Sequence, residues 1–236
     1  MPLAGELAAH SLFADALLRV FVGREEPLAR LAAFCASQAT QPLLVTGEAG
    51  VGKSALLARH YIDWAAYKPD FFVVPHFVGA SAASTSLPRL LARLTQELVE
   101  VLGLPMDCPE DPTRLPEAFR TALGLVAESE KVLLIIDGLD QLDQRDLELG
   151  LPWLPEVLPP NVKLLASCTS GPLVEEARKR GAEVLELAPL AQPEAATLLA
   201  ELPSLSARTL EEGQKALLLA NTGARKIGRA SCRERV

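Results

Sequence analysis

Gly47-Glu48-Ala49-Gly50-Val51-Gly52-Lys53-Ser54 decides the reading of this chain. The octet has the G-x-x-x-x-G-K-S pattern of a phosphate-binding loop. Before it, Pro42-Leu43-Leu44-Val45-Thr46 is a short apolar run suited to a buried parallel strand. After it, Ser54-Ala55-Leu56-Leu57-Ala58-Arg59 favours helix and carries an apolar face. Strand, glycine loop and helix follow in the order the chemistry requires. Glycines let the backbone wrap an anion, and the N–H groups that open the helix point at it. The candidate phosphate-binding residues are therefore Gly47, Glu48, Ala49, Gly50, Val51, Gly52, Lys53, Ser54 and Ala55. Lys53 offers a mobile positive charge to β- and γ-phosphates, and Ser54 offers a hydroxyl to Mg²⁺.

Leu133-Leu134-Ile135-Ile136-Asp137-Gly138-Leu139-Asp140-Gln141-Leu142 reads as the second half of such a site, a Walker B element. A buried apolar strand delivers Asp137 rigidly to the C-terminal edge of a sheet. A carboxylate there holds Mg²⁺, usually through water, opposite Ser54. Asp140 lies just past the strand and is the candidate base for an attacking water, with a helix-capping or solvent-exposed acid as the alternative. Gln141 cannot take a proton, although an amide can position water.

The 236 residues fit one α/β domain of moderate size and part of another. Hydrophobic residues make up 49% and charged residues 22%, ordinary values for a folded chain. Apolar runs such as Val132–Ile136 are too short to span a membrane. The first residues, MPLAGELAAHSLFADALLRVF, lack a basic start before an apolar core and read as a lead-in helix, not a signal peptide. The net charge of −7 disfavours nucleic-acid binding through a global basic field. Cys35, Cys108, Cys168 and Cys232 match no zinc spacing and read as reduced cytosolic thiols, which points to a cytoplasmic protein. His10, His60 and His76 are scattered and suggest neither a metal site nor a catalytic triad.

Alternating elements continue along the chain. The sequence predicts strands at Leu43–Thr46, Phe71–Val78, Lys131–Asp137, Val162–Cys168 and Glu183–Leu187. It predicts a helix after Phe21-Val22-Gly23-Arg24-Glu25-Glu26, and a second running from the glycine loop to about Tyr67. A long helix begins at Ser84–Leu87, with Leu90, Leu91, Leu94, Leu98, Val101 and Leu102 on one face. Further helices are expected at Arg114–Ser129, Leu173–Arg180, Pro193–Glu201 and Ser206–Ala220. Such alternation implies a parallel sheet covered on both faces. Lys226 to Val236, KIGRASCRERV, resembles the in-frame translation of a short-read sequencing adapter and is excluded from fold reasoning. The natural product is expected to continue past residue 225. The expected divisions are a lead-in over 1–20, a nucleotide domain over 21–190, a truncated helical domain over 191–225 and the adapter-like 226–236.

The combination FVGREE, GEAGVGKS, PHFVG and IIDGLDQL resembles the STAND class of P-loop NTPases, close to its NACHT group. It looks most like the nucleotide domains of nephrocystin-type and telomerase-associated proteins. WLPEVLPPNVKLLAS at Trp153–Ser167, LELAPLAQPEAATLL at Leu185–Leu199 and KALLLAN at Lys215–Asn221 extend the likeness over roughly residues 20–225. The resemblance implies a five-stranded parallel sheet ordered 5-1-4-3-2 and followed by a helical domain. It implies ATP, dATP or ADP bound with Mg²⁺, and a nucleotide-dependent conformational switch with possible self-association. It also implies C-terminal TPR or WD40 repeats serving signalling or scaffold assemblies. Val22, Gly23 and Arg24 match the family's entry motif beside the adenine. Arg24 would stabilise the entry loop, or form a surface ion pair.

Two departures bear on rate. Gln141 stands where many NACHT proteins have Glu. Gly171, in Thr169-Ser170-Gly171-Pro172, stands where many carry a sensor arginine. Ser167 and Thr169 remain as candidates for hydrogen bonds to the γ-phosphate or its water. The expected activity is slow ATP hydrolysis in a regulatory switch. The alternatives are a scaffold that holds nucleotide without hydrolysing it and, less favoured by the acidic charge, a DNA-associated AAA+-type ATPase. No N-K-x-D motif supports GTP recognition, and no arginine-rich lid supports a small-molecule kinase.

Overall fold

Five strands send alternate side chains into two separate cores in the computed structural model, which describes residues 3–201. Leu43, Val45, Leu133, Ile135 and Leu165 face one side of the sheet. Leu44, Val132, Leu134, Ile136, Leu164 and Ala166 face the other. A strand alternates with period two, so these near-continuous apolar runs are buried on both faces. The strands are β1 (Leu43–Gly47), β2 (Phe71–Phe77), β3 (Lys131–Asp137), β4 (Val162–Thr169) and β5 (Glu183–Glu186). Their order is β2-β3-β4-β1-β5, all parallel. This is the expected 5-1-4-3-2 order, read from the opposite edge.

One face is covered by α1 (Leu3–Leu17), α2 (Glu25–Ala36) and α3 (Lys53–Tyr67), which contribute Ala14, Leu31, Phe34, Leu56, Leu57 and Trp64 to the core. The other face carries α4 (Leu87–Leu102), α5 (Leu115–Leu125) and α7 (Pro172–Lys179), through Leu90, Leu94, Leu98, Phe119, Val174 and Ala177. The short α6 (Gln144–Glu148) and the turns after it carry Trp153, whose ring lies 6.3 Å from Phe119. Trp153 is a packing residue, as its chemistry suggests. α8 (Gln192–Glu201) follows β5 and buries Ala195 and Leu199.

Some boundaries differ from the sequence reading. The long helix begins at Leu87, the last residue of the expected Ser84–Leu87 start, with Ser86 as its N-cap and Pro88 in the first turn, where a missing N–H costs little. α5 stops at Leu125 instead of Ser129, because Val126 leaves the helical region at ψ 120. The expected β5 residue Leu187 lies just past the strand, its N–H still bonded to Thr46 O at 2.7 Å. The predicted helix Ser206–Ala220, the KALLLAN stretch and the adapter-like segment 226–236 lie outside the described residues. So does Cys232; Cys35, Cys108 and Cys168 carry no disulfide. No helix among the described residues is long and apolar enough to cross a membrane.

Candidate functional site

The register of the sheet brings the two motifs to one edge. Gly47, the last residue of β1, pairs with Thr169, the last of β4. On the other side of β4, Ile136 pairs with Ala166, so Asp137 follows at the level of Ser167. β4 thus separates the glycine loop from the acid and contributes its own polar side chains between them.

The loop closes on its lysine. Lys53 Nζ donates to Gly47 O at 2.9 Å and to Glu48 O at 3.0 Å. Those carbonyls engage two of its three donors and leave the third for an anion. Burial pushes the Lys53 pKa below the ordinary lysine value, while the negative charges of Asp140 and Asp137 oppose that shift. α3 starts at Lys53 with Gly52 as its N-cap at φ 102, a left-handed conformation that a side chain would strain. The first N–H groups of α3 consequently face the space above the loop.

Asp137 is only 2% exposed. Ser167 Oγ donates to its Oδ1 at 2.5 Å and accepts from Gly138 N at 2.9 Å. The serine proton therefore points at the carboxylate. The Ser54 hydroxyl also favours the charged form of the carboxylate. Burial raises the Asp137 pKa; the Ser167 and Ser54 hydroxyls and the Lys53 charge work against that rise. Ser167, expected to bond the γ-phosphate or its water, directs its single proton to Asp137 in this arrangement. Thr169 Oγ1 donates to Asp140 Oδ2 at 2.8 Å, which fixes that carboxylate at the end of β4. Asp140 Oδ1 is buried without a hydrogen-bond partner. Gln141 is exposed, and Gly171 opens α7 on the surface.

These residues suit Mg²⁺ bound with a polyphosphate. Among the described residues no group of three or more His, Cys, Asp and Glu could hold a metal alone. A hydroxyl and one carboxylate, completed by phosphate oxygens and water, is the pattern Mg²⁺ accepts. Ser54 and Asp137 are the two side chains that would supply it.

Val22, Gly23 and Arg24 enter from the other side of the loop. Arg24 is 8% exposed and is the one non-glycine residue with positive φ among the described residues, at 71°. Its guanidinium donates to Val51 O at 2.8 Å and to Ala188 O at 2.7 Å. The surface ion pair that the sequence left open does not form. Arg24 instead ties the entry segment to the glycine loop and to the chain after β5. Sequence reasoning missed Glu194, whose Oε1 accepts from Arg24 N at 3.3 Å. The only local signal was an acid in the first turn of a helix; its partner lies far away in sequence.

Comparisons with known proteins identify the family and the fold that carry this geometry. Residues 20–167 match the family model described as AAA ATPase domain. NACHT domain- and WD repeat-containing protein 1 of Homo sapiens is 30% identical over 181 residues, covering 71% of this chain and 11% of that protein. Nephrocystin-3 of Mus musculus is 32% identical over 186 residues, covering 75% and 13%. Telomerase protein component 1 of Mus musculus is 34% identical over 206 residues, covering 76% and 7%. The chain thus spans roughly a tenth of the length of these relatives. Among solved structures, a Walker-type ATPase of Pyrococcus abyssi superposes with a TM-score of 0.54 at 16% identity, covering 87% of this chain and 65% of that one. That likeness concerns the fold alone. The chain belongs to the AAA ATPase domain family, as a NACHT-like P-loop NTPase.

Proposed function

We propose that this domain binds ATP with Mg²⁺, hydrolyses it slowly and serves as a nucleotide-dependent switch in a signalling or scaffold assembly. One observation carries the reading. Lys53, Ser54 and Asp137 meet at one sheet edge, while Asp140 stands beside them with a buried, unpartnered oxygen.

In this reading the glycine-loop N–H groups and Lys53 hold the phosphates, and Lys53 leaves its loop carbonyls to do so. The Ser54 hydroxyl and Asp137 would hold the metal, and Ser167 keeps Asp137 oriented. When bound, Mg²⁺ neutralises charge developing on the β- and γ-phosphate oxygens. Asp140, held by Thr169, orients a water and takes its proton. Asp140 and Lys53 are the candidate catalytic residues; Val22, Gly23 and Arg24 would flank the base. Slow turnover follows from Gln141, which cannot act as a base, and from Gly171, which brings no cation to the γ-phosphate. A missing arginine alone costs about 10³–10⁵ in rate.

Proteins named for WD repeats, or for TPR repeats in Dictyostelium discoideum, are among the relatives. Repeats of that kind are the proposed route to protein partners, in a cytoplasmic setting. A second reading, a nucleotide-holding scaffold without turnover, is favoured by the same Gln141 and Gly171. Single-turnover phosphate release separates the two. Slow release by the wild type, faster in Gln141→Glu and abolished in Asp140→Asn, is the expected result. Rapid release that survives Asp140→Asn would contradict the assignment of the base. No release with intact ATP binding would favour the scaffold.

A further inference from the structure

Gly23 and Arg24 form a left-handed pair, at φ 67 and 71, between α1 and α2. Arg24 reaches Val51 O of the phosphate loop through its own side chain. The backbone of Gly23–Arg24 therefore stands within one side chain's reach of the loop. A nucleotide with its phosphates over Gly50–Ser54 can extend its base toward this segment.

The Glu194 carboxylate already covers that backbone. Oε1 accepts from Arg24 N at 3.3 Å, and a Cβ added to Gly23 would overlap the same oxygen. Oε2 accepts from Ala191 N at 2.6 Å, the cap of α8. The Arg24 guanidinium attracts the carboxylate as well. One side chain thus joins the entry of α2 to the entry of α8, and α8 is anchored in turn by buried Ala195 and Leu199.

We propose that Glu194 is a latch which the nucleobase must displace. The Arg24 N–H is a donor that a ring nitrogen of the base could engage, and Glu194 Oε1 holds it in the arrangement described. A base and the carboxylate cannot both use it. Base binding frees Oε1, loosens the link between the phosphate-loop domain and α8, and so transmits occupancy to the chain beyond. Glu194 weakens nucleotide binding by the strength of one partly buried hydrogen bond. A group that only capped α8 would leave nucleotide affinity unchanged.

The inference rests on the proposed nucleotide site, and the probes keep the two separate. Mg²⁺-ATP and Mg²⁺-tripolyphosphate are titrated into the full chain for wild type, Glu194→Ala and Glu194→Gln. Tripolyphosphate reaches the loop but has no base. Glu194→Ala is expected to bind ATP about three- to tenfold more tightly, the worth of one net hydrogen bond, with tripolyphosphate affinity unchanged. Glu194→Gln keeps a neutral acceptor at the helix cap and is expected to fall between the two. It carries the test alone if the alanine variant fails to fold. ATP affinity equal to or below wild type in a folded variant would overturn the latch. So would a gain shared equally by tripolyphosphate. Failure of the wild type to bind either probe would overturn the nucleotide site itself, and the latch with it.

Discussion

Asp137 shows how far local chemistry constrains this site. Its carboxylate is buried at the end of β3, accepts a hydroxyl bond from Ser167 and has its charged form favoured by the Ser54 hydroxyl as well. Only a metal-bound state needs its full charge. Asp137→Asn should therefore weaken ATP binding severalfold in the presence of Mg²⁺ and much less in EDTA; equal weakening in both would make the residue structural. Ser167→Ala leaves Gly138 N and Asp137 Oδ1 each without a partner, at a cost of about 1–3 kcal/mol. It should lower thermal stability and raise the Mg²⁺ concentration needed for half-maximal ATP binding. An unchanged Mg²⁺ requirement would deny that Ser167 orients Asp137. The glycine loop and the apolar strand ending in Asp137 were legible because each is a contiguous pattern with its own local geometry. The Ser167–Asp137 bond was not legible, because it joins residues 30 apart and depends on strand order. Arg24 and Glu194 illustrate the same limit at 170 residues.

Helix α1 is tied to the sheet by histidines that lie far apart in sequence. His10 Nδ1 accepts from Phe77 N at 3.1 Å, and its ring lies 4.6 Å from His76. His76 accepts at Nδ1 from Arg93 Nε at 3.4 Å, and its Nε2 meets Ser84 O at 3.0 Å. With Nδ1 accepting, Nε2 carries the proton, which makes His76 neutral. Arg93 also bonds Pro75 O and pairs with Glu97 at 2.7 Å, both partners being buried on α4. Burial, and then the nearby positive groups, lower the His10 pKa to about 2 and that of His76 to about 4. His60 is likewise lowered to about 4 by burial. All three lie below the ordinary histidine value of 6.5, so the unfolded chain takes up protons first as pH falls. Their contribution is fully present above that value and is lost as pH drops toward 4. Urea unfolding at about pH 7 and pH 5 should show a loss of roughly 1–2 kcal/mol per buried histidine. His10→Gln should flatten the slope, and an unchanged slope would contradict the buried, neutral assignment. The apolar stripe of α4 was readable from its period; its polar partners on α1 and β2 were not, because they meet only once β2 takes the sheet edge.

At the scale of the whole molecule, strand alternation implied a covered parallel sheet, and the family resemblance supplied its order. No strand's own sequence states that β4 lies between β1 and β3. Yet that position sets Ser167 and Thr169 between the glycine loop and Asp137, and so builds the site. Nucleotide binding should stabilise the folded chain by mass action, by about 2.7 kcal/mol at a ligand concentration one hundred times Kd. Lys53 and the loop it closes are proposed to bind the phosphates of a nucleotide. Isothermal titration of Mg²⁺-ATP into the wild type and Lys53→Ala tests it most directly, with circular dichroism confirming that both are folded. Saturable one-to-one binding is expected of the wild type and a loss of about a hundredfold or more in the variant, since a charge-assisted phosphate contact disappears while the buried strands remain. Equal affinity in the two folded proteins would contradict it.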